Sequence, residues 1–440
     1  MSVESSRMRR VILPLAALVL AIVLHAGPAR AQLRLDITQG VRDAVPIAVV
    51  PFGGQAAEAP TDVAAVVAND LRMSGRFAPL ERADMVTRPT SGADIHFPDW
   101  RLLKSDFIVV GQVESAAGGS TVTFELYNVQ TGQALLTQRV PATERTLRSA
   151  AHRIADAIFE RLTGIPGAFS TRVAYVAVDG HGEGRHYKLV VADADGFGPR
   201  SVTESTEPLM SPAWSPDGQF LAYVSFEGHA AAIYVQHLAS GERRRVSARS
   251  GINGAPAWSP DGRRLAITLS HDGNLDIYVL ELASQALTRI TTDEAIDTEP
   301  EWSKDGKHLY FTSDRSGSPQ VYAVAVDGAH ESQRLTYTNS YNARPRLSPD
   351  GDSLALVTLD RGNYRIATFD LKTRNLRVLT DGRLDQSPSF APNGAILIYA
   401  TQGRGHQALA TVSVDGRFQQ RLSSDQGDVR EPAWSPLPAR

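Results

Sequence analysis

The sequence has no cysteine. That excludes disulfides, thiolate catalysis, cysteine-ligated zinc and iron–sulfur clusters. Stability must come from burial and hydrogen bonding. There is no excess of positive charge either, the formal net charge being -3. This argues against a general nucleic-acid binder, because phosphate binding needs a basic face. No Gly-x-Ser-x-Gly elbow, P-loop or His-Glu-x-x-His motif occurs, so the common hydrolase, nucleotide and zinc-protease signatures are missing. No low-complexity tract interrupts the chain.

One apolar run is present, at the start. Arg7, Arg9 and Arg10 precede an apolar stretch from Val11 to Leu24, and Ala29-Arg30-Ala31 has the small-x-small form of a cleavage site. Residues 1–31 therefore read as a cleaved secretory leader, too short in its apolar part for a spanning helix. The leader carries four arginines and one glutamate, a net +3, so the expected mature chain stands at -6. With no lipidation cysteine and no later spanning run, no direct membrane insertion is expected.

The strongest pattern is an internal repeat. The block Pro212-Ala213-Trp214-Ser215-Pro216-Asp217-Gly218 returns at 256–262 and 300–306, then in degenerate form at 345–351, 388–394 and 432–436. The anchors Trp214, Trp258, Trp302, Leu347, Phe390 and Trp434 are 44, 44, 45, 43 and 44 residues apart. Ser-Pro-Asp-Gly suits a tight turn: proline presets φ, aspartate bonds its own backbone, and glycine accepts positive φ. Runs such as Phe220–Val224, Arg264–Thr268 and His308–Thr312 follow as strands buried on both faces. Four strands per period make a propeller blade. The sixth period starts at Trp434, and its missing strands match 172–177, 187–191 and 200–203. The expected domain is a six-bladed β-propeller over 168–440, with its last blade built from both ends.

Residues 32–165 lack the repeat and read as a separate α/β domain. Ile47–Val50, Phe107–Gly111 and Thr121–Glu125 are expected strands. Asp62–Met73 is an expected helix capped by Thr61, and Thr143–Leu162 a longer one. Residues 163–167 read as the joint between the domains. At the expected mature N-terminus, Leu33, Leu35 and Ile37 alternate with Arg34, Asp36 and Thr38. This is the period of a half-buried strand, either an ordinary edge strand or a detachable one.

Few residues suggest chemistry. His181 and His186 lie in a Gly-rich loop without further metal-spaced ligands. Asp193-x-Asp195-Gly196 resembles part of a calcium loop but lacks the later acidic ligand, and reads as a turn. No catalytic residue, metal ligand or cofactor site is expected. The shared feature is the position just before each Pro-x-Trp, where six loops should converge on one mouth of the channel. It supplies Leu209, Met210 and Ser211, then Asn253, Gly254 and Ala255. It continues with Asp297, Thr298 and Glu299, with Asn342, Ala343 and Arg344, with Asp385, Gln386 and Ser387, and with Val429, Arg430 and Glu431. Small, polar and flat is the character of a recognition face.

The leader, the opening Leu33–Gly40 and Pro46–Phe52, Leu162–Ile165, and the repeats with Leu209–Gly218 together resemble the TolB family, the periplasmic component of the Tol–Pal system. The resemblance implies a non-enzymatic periplasmic protein that serves outer-membrane integrity and envelope invagination at division. It implies binding of the lipoprotein Pal at one channel mouth, carried over onto Asn253, Gly254, Ala255, Thr298 and Glu299. Ile252 stands where the family's Pal contact has a histidine. It implies binding of TolA by the segment Gln32, Leu33, Arg34, Leu35, Asp36, Ile37, Thr38 and Gln39, with the TolQ–TolR complex reached indirectly. Colicin-type translocation peptides are a further expected ligand class. The alternative is a propeller enzyme, a peptidase or a polysaccharide-degrading protein, which would need a catalytic motif that the sequence does not show.

Overall fold

The computed structural model describes residues 33–39, 44–55, 61–116, 119–180, 182–403, 405–424 and 427–438. The expected leader, Gln32 and His181 lie outside the described residues. The chain opens with β1 (Leu33–Gln39) and continues into a sheet of β2 (Val45–Val49), β3 (Phe77–Pro79), β4 (Phe107–Ala116), β5 (Gly119–Asn128) and β6 (Ala134–Ala142). The sheet order is β3-β2-β4-β5-β6. β2 runs parallel to β3 and β4, while β4, β5 and β6 form an antiparallel meander.

Helices α1 (Val63–Met73) and α3 (Leu147–Thr163) join one apolar core with Val49, Leu71, Phe124 and Ile154. The short α2 (Phe97–Leu102) carries Trp100 into a second core with Ile108 and Val110. The cap of α1 is Asp62, one residue beyond the expected Thr61. Its carboxylate accepts the Ala65 N–H at 3.0 Å, which the residue outside the first turn cannot reach. α3 ends at Gly164, whose φ of +74° lets its N–H return to the Glu160 carbonyl at 2.9 Å.

The rest is a six-bladed β-propeller of four-stranded sheets. The inner strands are Leu209–Trp214, Asn253–Trp258, Asp297–Trp302, Asn342–Leu347, Asp385–Phe390 and Asp428–Trp434, numbered here as blades 1 to 6. The second strands are buried as expected: Leu221, Tyr223, Leu265, Ile267, Leu309 and Phe311 are at most 1% exposed. In blade 6 the C-terminal strand pairs with Arg172–Asp179, which continues to His186–Asp193 and Arg200–Ser205, so both ends of the domain close the ring.

The repeated tryptophans join neighbouring blades. Trp258 Nε1 donates to the Ala213 carbonyl at 3.1 Å, Trp302 to Ala257 at 3.0 Å, and Trp214 to Ala433 at 2.9 Å across the closure. Trp434 donates instead to Thr171 Oγ1 at 2.8 Å. In the following turns the serine hydroxyl bonds the aspartate, as in Ser303–Asp305 at 2.6 Å, and accepts the N–H that starts the next strand. The turn ends of the blades face the N-terminal domain. Asn393 in the blade 5 turn donates to the Pro166 carbonyl at 3.0 Å, and Gly75 after α1 lies against Phe418.

β1 belongs to neither core sheet. It pairs antiparallel with Gln419–Ser424, the outer strand of blade 5, with Leu35 opposite Leu422, and makes that blade five-stranded. The alternation of residues 33–38 therefore does mark a strand, and it is docked on an edge of the propeller.

Candidate partner-binding face

The residues expected in loops before Pro-x-Trp are instead the first residues of the inner strands. They lie at the end of the propeller opposite the turns that meet the N-terminal domain, so the face is unobstructed by that domain. In every blade the strand register slips at this point: between Met210 and Ala213, Gly254 and Ala257, Thr298 and Glu301, Ala343 and Arg346, Gln386 and Ser389, and Arg430 and Ala433. The slip is a β-bulge. At its centre Ser211, Ala255, Glu299, Arg344, Ser387 and Glu431 have φ between +46° and +57°.

None of these six is glycine, although each adopts the left-handed conformation. That costs about 1–2 kcal/mol per residue for a chain of L-amino acids. A ring of such residues around one mouth persists only because the surrounding sheet fixes it, a pattern that clusters at binding sites.

The ring is cross-linked by its charged members. Glu431 Oε2 accepts the Ser211 N–H of the next blade at 2.5 Å. Glu299 repeats the arrangement one half-turn away: its Oε2 accepts the Arg344 N–H at 3.1 Å, and its Oε1 takes Arg344 Nε at 2.5 Å. Arg344 reaches on to the Ser387 hydroxyl. Burial pushes the Arg344 guanidinium down, but Glu299 and Glu431 outweigh it and hold the group above its ordinary value. Arg344 belongs to the fourth of the six segments expected at the mouth. The signal was its offset, three residues before the blade anchor in all six repeats.

The sequence-derived residues divide by position. Met210, Ser211, Gly254, Ala255, Thr298, Glu299, Gln386, Ser387, Arg430 and Glu431 are partly exposed around the mouth. Asn253 and Ala343 are buried, at 0% and 1% exposure, and support the face from behind. Asn253 Oδ1 accepts from Ser247 Oγ and the Arg249 N–H, and its amide donates to the Arg249 carbonyl, tying the preceding loop to the strand. The equivalent residues are also held by neighbouring side chains. Asp297 takes Arg315 through both oxygens at 3.0 and 2.7 Å, and Asp385 accepts from Thr380 and Thr401 at 2.6 Å each. Burial pushes both carboxyls up, against these hydrogen bonds.

Two further features complete the face. Ile252 and Ile296 stand at adjacent blades with 49% and 46% of their surface exposed. Between blades 5 and 6 a cleft of about 580 Å³ opens at the same end, lined by Tyr187, His406, Asp428 and Arg430 among others. The arrangement offers apolar, acidic and basic contacts on one rigid surface. Such a surface suits recognition of a folded partner.

Comparison with known proteins agrees with this architecture. The model of the TolB amino-terminal domain matches residues 33–135, and that of the TolB beta propeller domain matches residues 159–438. The Tol-Pal system protein TolB of Xanthomonas oryzae pv. oryzae is 54% identical over 428 residues, covering 96% of this chain and 97% of the relative. The protein of the same name from Xanthomonas campestris pv. campestris is equally similar. The crystal structure of TolB from Acinetobacter baumannii superposes with a TM-score of 0.86 at 41% identity, covering 92% of this chain and all of that one. The chain belongs to the TolB family of Tol–Pal system proteins.

Proposed function

We propose that the protein is a non-enzymatic linker of the periplasm, binding Pal at the propeller mouth and TolA through residues 32–39. The observation that carries this reading is the ring of six left-handed residues on the face turned away from the N-terminal domain. Membership in the Tol–Pal system makes other components of that system its partners. The mouth is a rigid, polar-rimmed surface suited to a folded partner, and β1 is a short strand at a sheet edge suited to strand pairing. Through these two contacts the protein connects the outer-membrane side to TolA, and indirectly to TolQ–TolR. It thereby supports outer-membrane integrity and invagination at division. Colicin-type translocation peptides would compete for the mouth. Residues 1–31 act as the leader, 32–165 form the N-terminal domain, and 168–440 the propeller. The non-enzymatic reading rests on the missing catalytic motifs together with the pairing of Glu299 with Arg344 on that face.

The test uses two variants of the mature protein. Thr298→Ala with Gln386→Ala should weaken Pal binding at least tenfold in a calorimetric titration and leave TolA binding intact. Deleting residues 32–39 should abolish TolA capture and leave the propeller folded. Unchanged Pal affinity in the first, or full TolA capture in the second, rejects the corresponding assignment.

A further inference from the structure

Three arginines at the mouth end of the propeller are matched by carboxylates. Arg315, Arg344 and Arg365 hold Asp297, Glu299 and Asp360 at 2.5 to 2.7 Å. The cleft of about 580 Å³ between blades 5 and 6 holds two arginines that are not. Arg185 and Arg430 both line it, and neither enters an ion pair among the described residues.

The fold aims both at the cleft. Arg430 lies on the inner strand of blade 6, opposite Val176 and just before the bulge. Its guanidinium sits 5.6 Å over the Tyr187 ring, which holds it in place. Its Nε is enclosed and makes no hydrogen bond among the described residues. Arg185 is exposed on the hairpin between the second and third strands of the same blade. Blade 5 supplies the opposite wall with His406 and Gln407, and Gln407 Oε1 is also enclosed and unbonded. Gly427, at a φ of +69°, lets the incoming chain lie directly on blade 6: a Cβ there would stand 2.3 Å from the Val178 carbonyl oxygen.

The acidic groups of the cleft are already engaged. Asp179 pairs with Lys188 at 3.0 Å, and Asp428 Oδ1 accepts the Gln407 N–H at 2.7 Å. Arg185, Arg430 and Lys188 stand against Asp179 and Asp428, three charges against two, so the cleft is cationic. An enclosed guanidinium donor with no acceptor is costly, and an anion relieves that cost. Two arginines suit the two oxygens of a carboxylate. The unbonded Gln407 Oε1 asks for a donor close by. A peptide chain end carries a carboxylate and an N–H on the same carbon, which an acidic side chain does not. Val178, Tyr187 and Leu384 give the last side chain an apolar wall. The volume lies in the range of small-ligand sites.

We propose that the cleft between blades 5 and 6 binds the C-terminal carboxylate of a peptide that ends in an apolar residue. Arg185 and Arg430 take the two oxygens, and Gln407 Oε1 accepts the last N–H. The site stands beside the ring of left-handed residues, and the inference does not depend on Pal being what covers the mouth.

Fluorescence anisotropy on the mature full-length protein tests it. The probe is a fluorescein-labelled Gly-Gly-Ala-Leu peptide with a free carboxyl terminus. Its C-terminal amide should bind at least tenfold more weakly. The amide of Gly-Gly-Glu-Leu, which moves the carboxylate to a side chain, should bind no better than the plain amide. Arg185→Gln should weaken the free acid at least tenfold and keep the parent unfolding midpoint, since the side chain is exposed. Arg430→Gln should weaken it as much, but that residue also packs on Tyr187, so Arg185→Gln decides. No detectable binding of the free acid, equal affinity for acid and amide, a glutamate-bearing amide that matches the free acid, or parent-like binding by Arg185→Gln overturns the proposal.

Discussion

Replacing Trp434 probes ring closure at its clasp. The indole N–H bonds Thr171 Oγ1 at 2.8 Å, and the half-buried ring packs with Tyr175, Val190 and Leu409 between blades 5 and 6. The backbone beside it is fixed twice more, by Trp434 N–H to Ser389 Oγ and Arg172 N–H to Ser435 Oγ, each at 2.9 Å. A neutral side-chain hydrogen bond contributes about 1 kcal/mol net. Half-burying a large apolar ring contributes about 1.5 kcal/mol more. Trp434→Ala should therefore lower propeller stability by about 2–3 kcal/mol. Trp434→Phe should lower it by only about 1 kcal/mol, the hydrogen bond alone. Phe390 at the equivalent place in blade 5 shows that a phenyl ring fits the slot. Urea unfolding followed by circular dichroism reads both. If Trp434→Ala stays within about 0.5 kcal/mol of the parent, the range of an ordinary surface change, the closure is not holding the ring and the reasoning fails.

Arg315→Ala strands the Asp297 carboxylate at 0% exposure without its arginine partner. The expected loss is about 3 kcal/mol, measurable by urea unfolding and partly recovered by Asp297→Asn. Gly75→Ala places a Cβ 2.2 Å from Phe418 Cγ at a φ of +66°. It should loosen the domain joint, read as faster proteolysis near residues 163–171, with recovery on adding Phe418→Ala. Against burial, which lowers it, the Asp193 and Asp70 carboxylates raise His152 from 6.5 to about 10 in the folded chain, so its contribution is complete below pH 6.5 and is lost as pH rises through 10. Between pH 7 and 9 stability should fall by up to about 1.4 kcal/mol per pH unit, and His152→Gln should flatten that slope. Asp70, raised to about 7 by burial, acts mainly below this window.

Blade number, strand order and the mixed sixth blade were legible because each turn repeats the same side-chain chemistry at nearly constant spacing. The bulged mouth was not. Its left-handed positions hold serine, alanine, glutamate and arginine, so no shared side chain marks the backbone, and only the offset from the anchor repeats. The alternation at 33–38 revealed a strand but not its partner. Edge length alone does not name the partner: Gln419–Ser424 in blade 5 and Arg200–Ser205 in blade 6 both span six residues, where the outer strands of blades 2 to 4 span three. α2 escaped notice because six residues are too few for a helical period. The pairing of Arg148 on α3 with Asp195 on blade 6 was half visible, as a turn at 193–196 and a helix at 143–162. Which charged face of the helix met which turn is a matter of packing.

The propeller mouth as the Pal-binding face is most directly tested at Gly254. A Cβ there meets nothing nearer than Ile252 Cγ2 at 3.8 Å, so a large side chain fits the fold and fills the mouth. Titrating the mature Gly254→Trp protein with the soluble domain of Pal should show at least a hundredfold weaker binding, with the unfolding midpoint of the free protein unchanged. Parent-like affinity in a folded Gly254→Trp protein would contradict the assignment of this face.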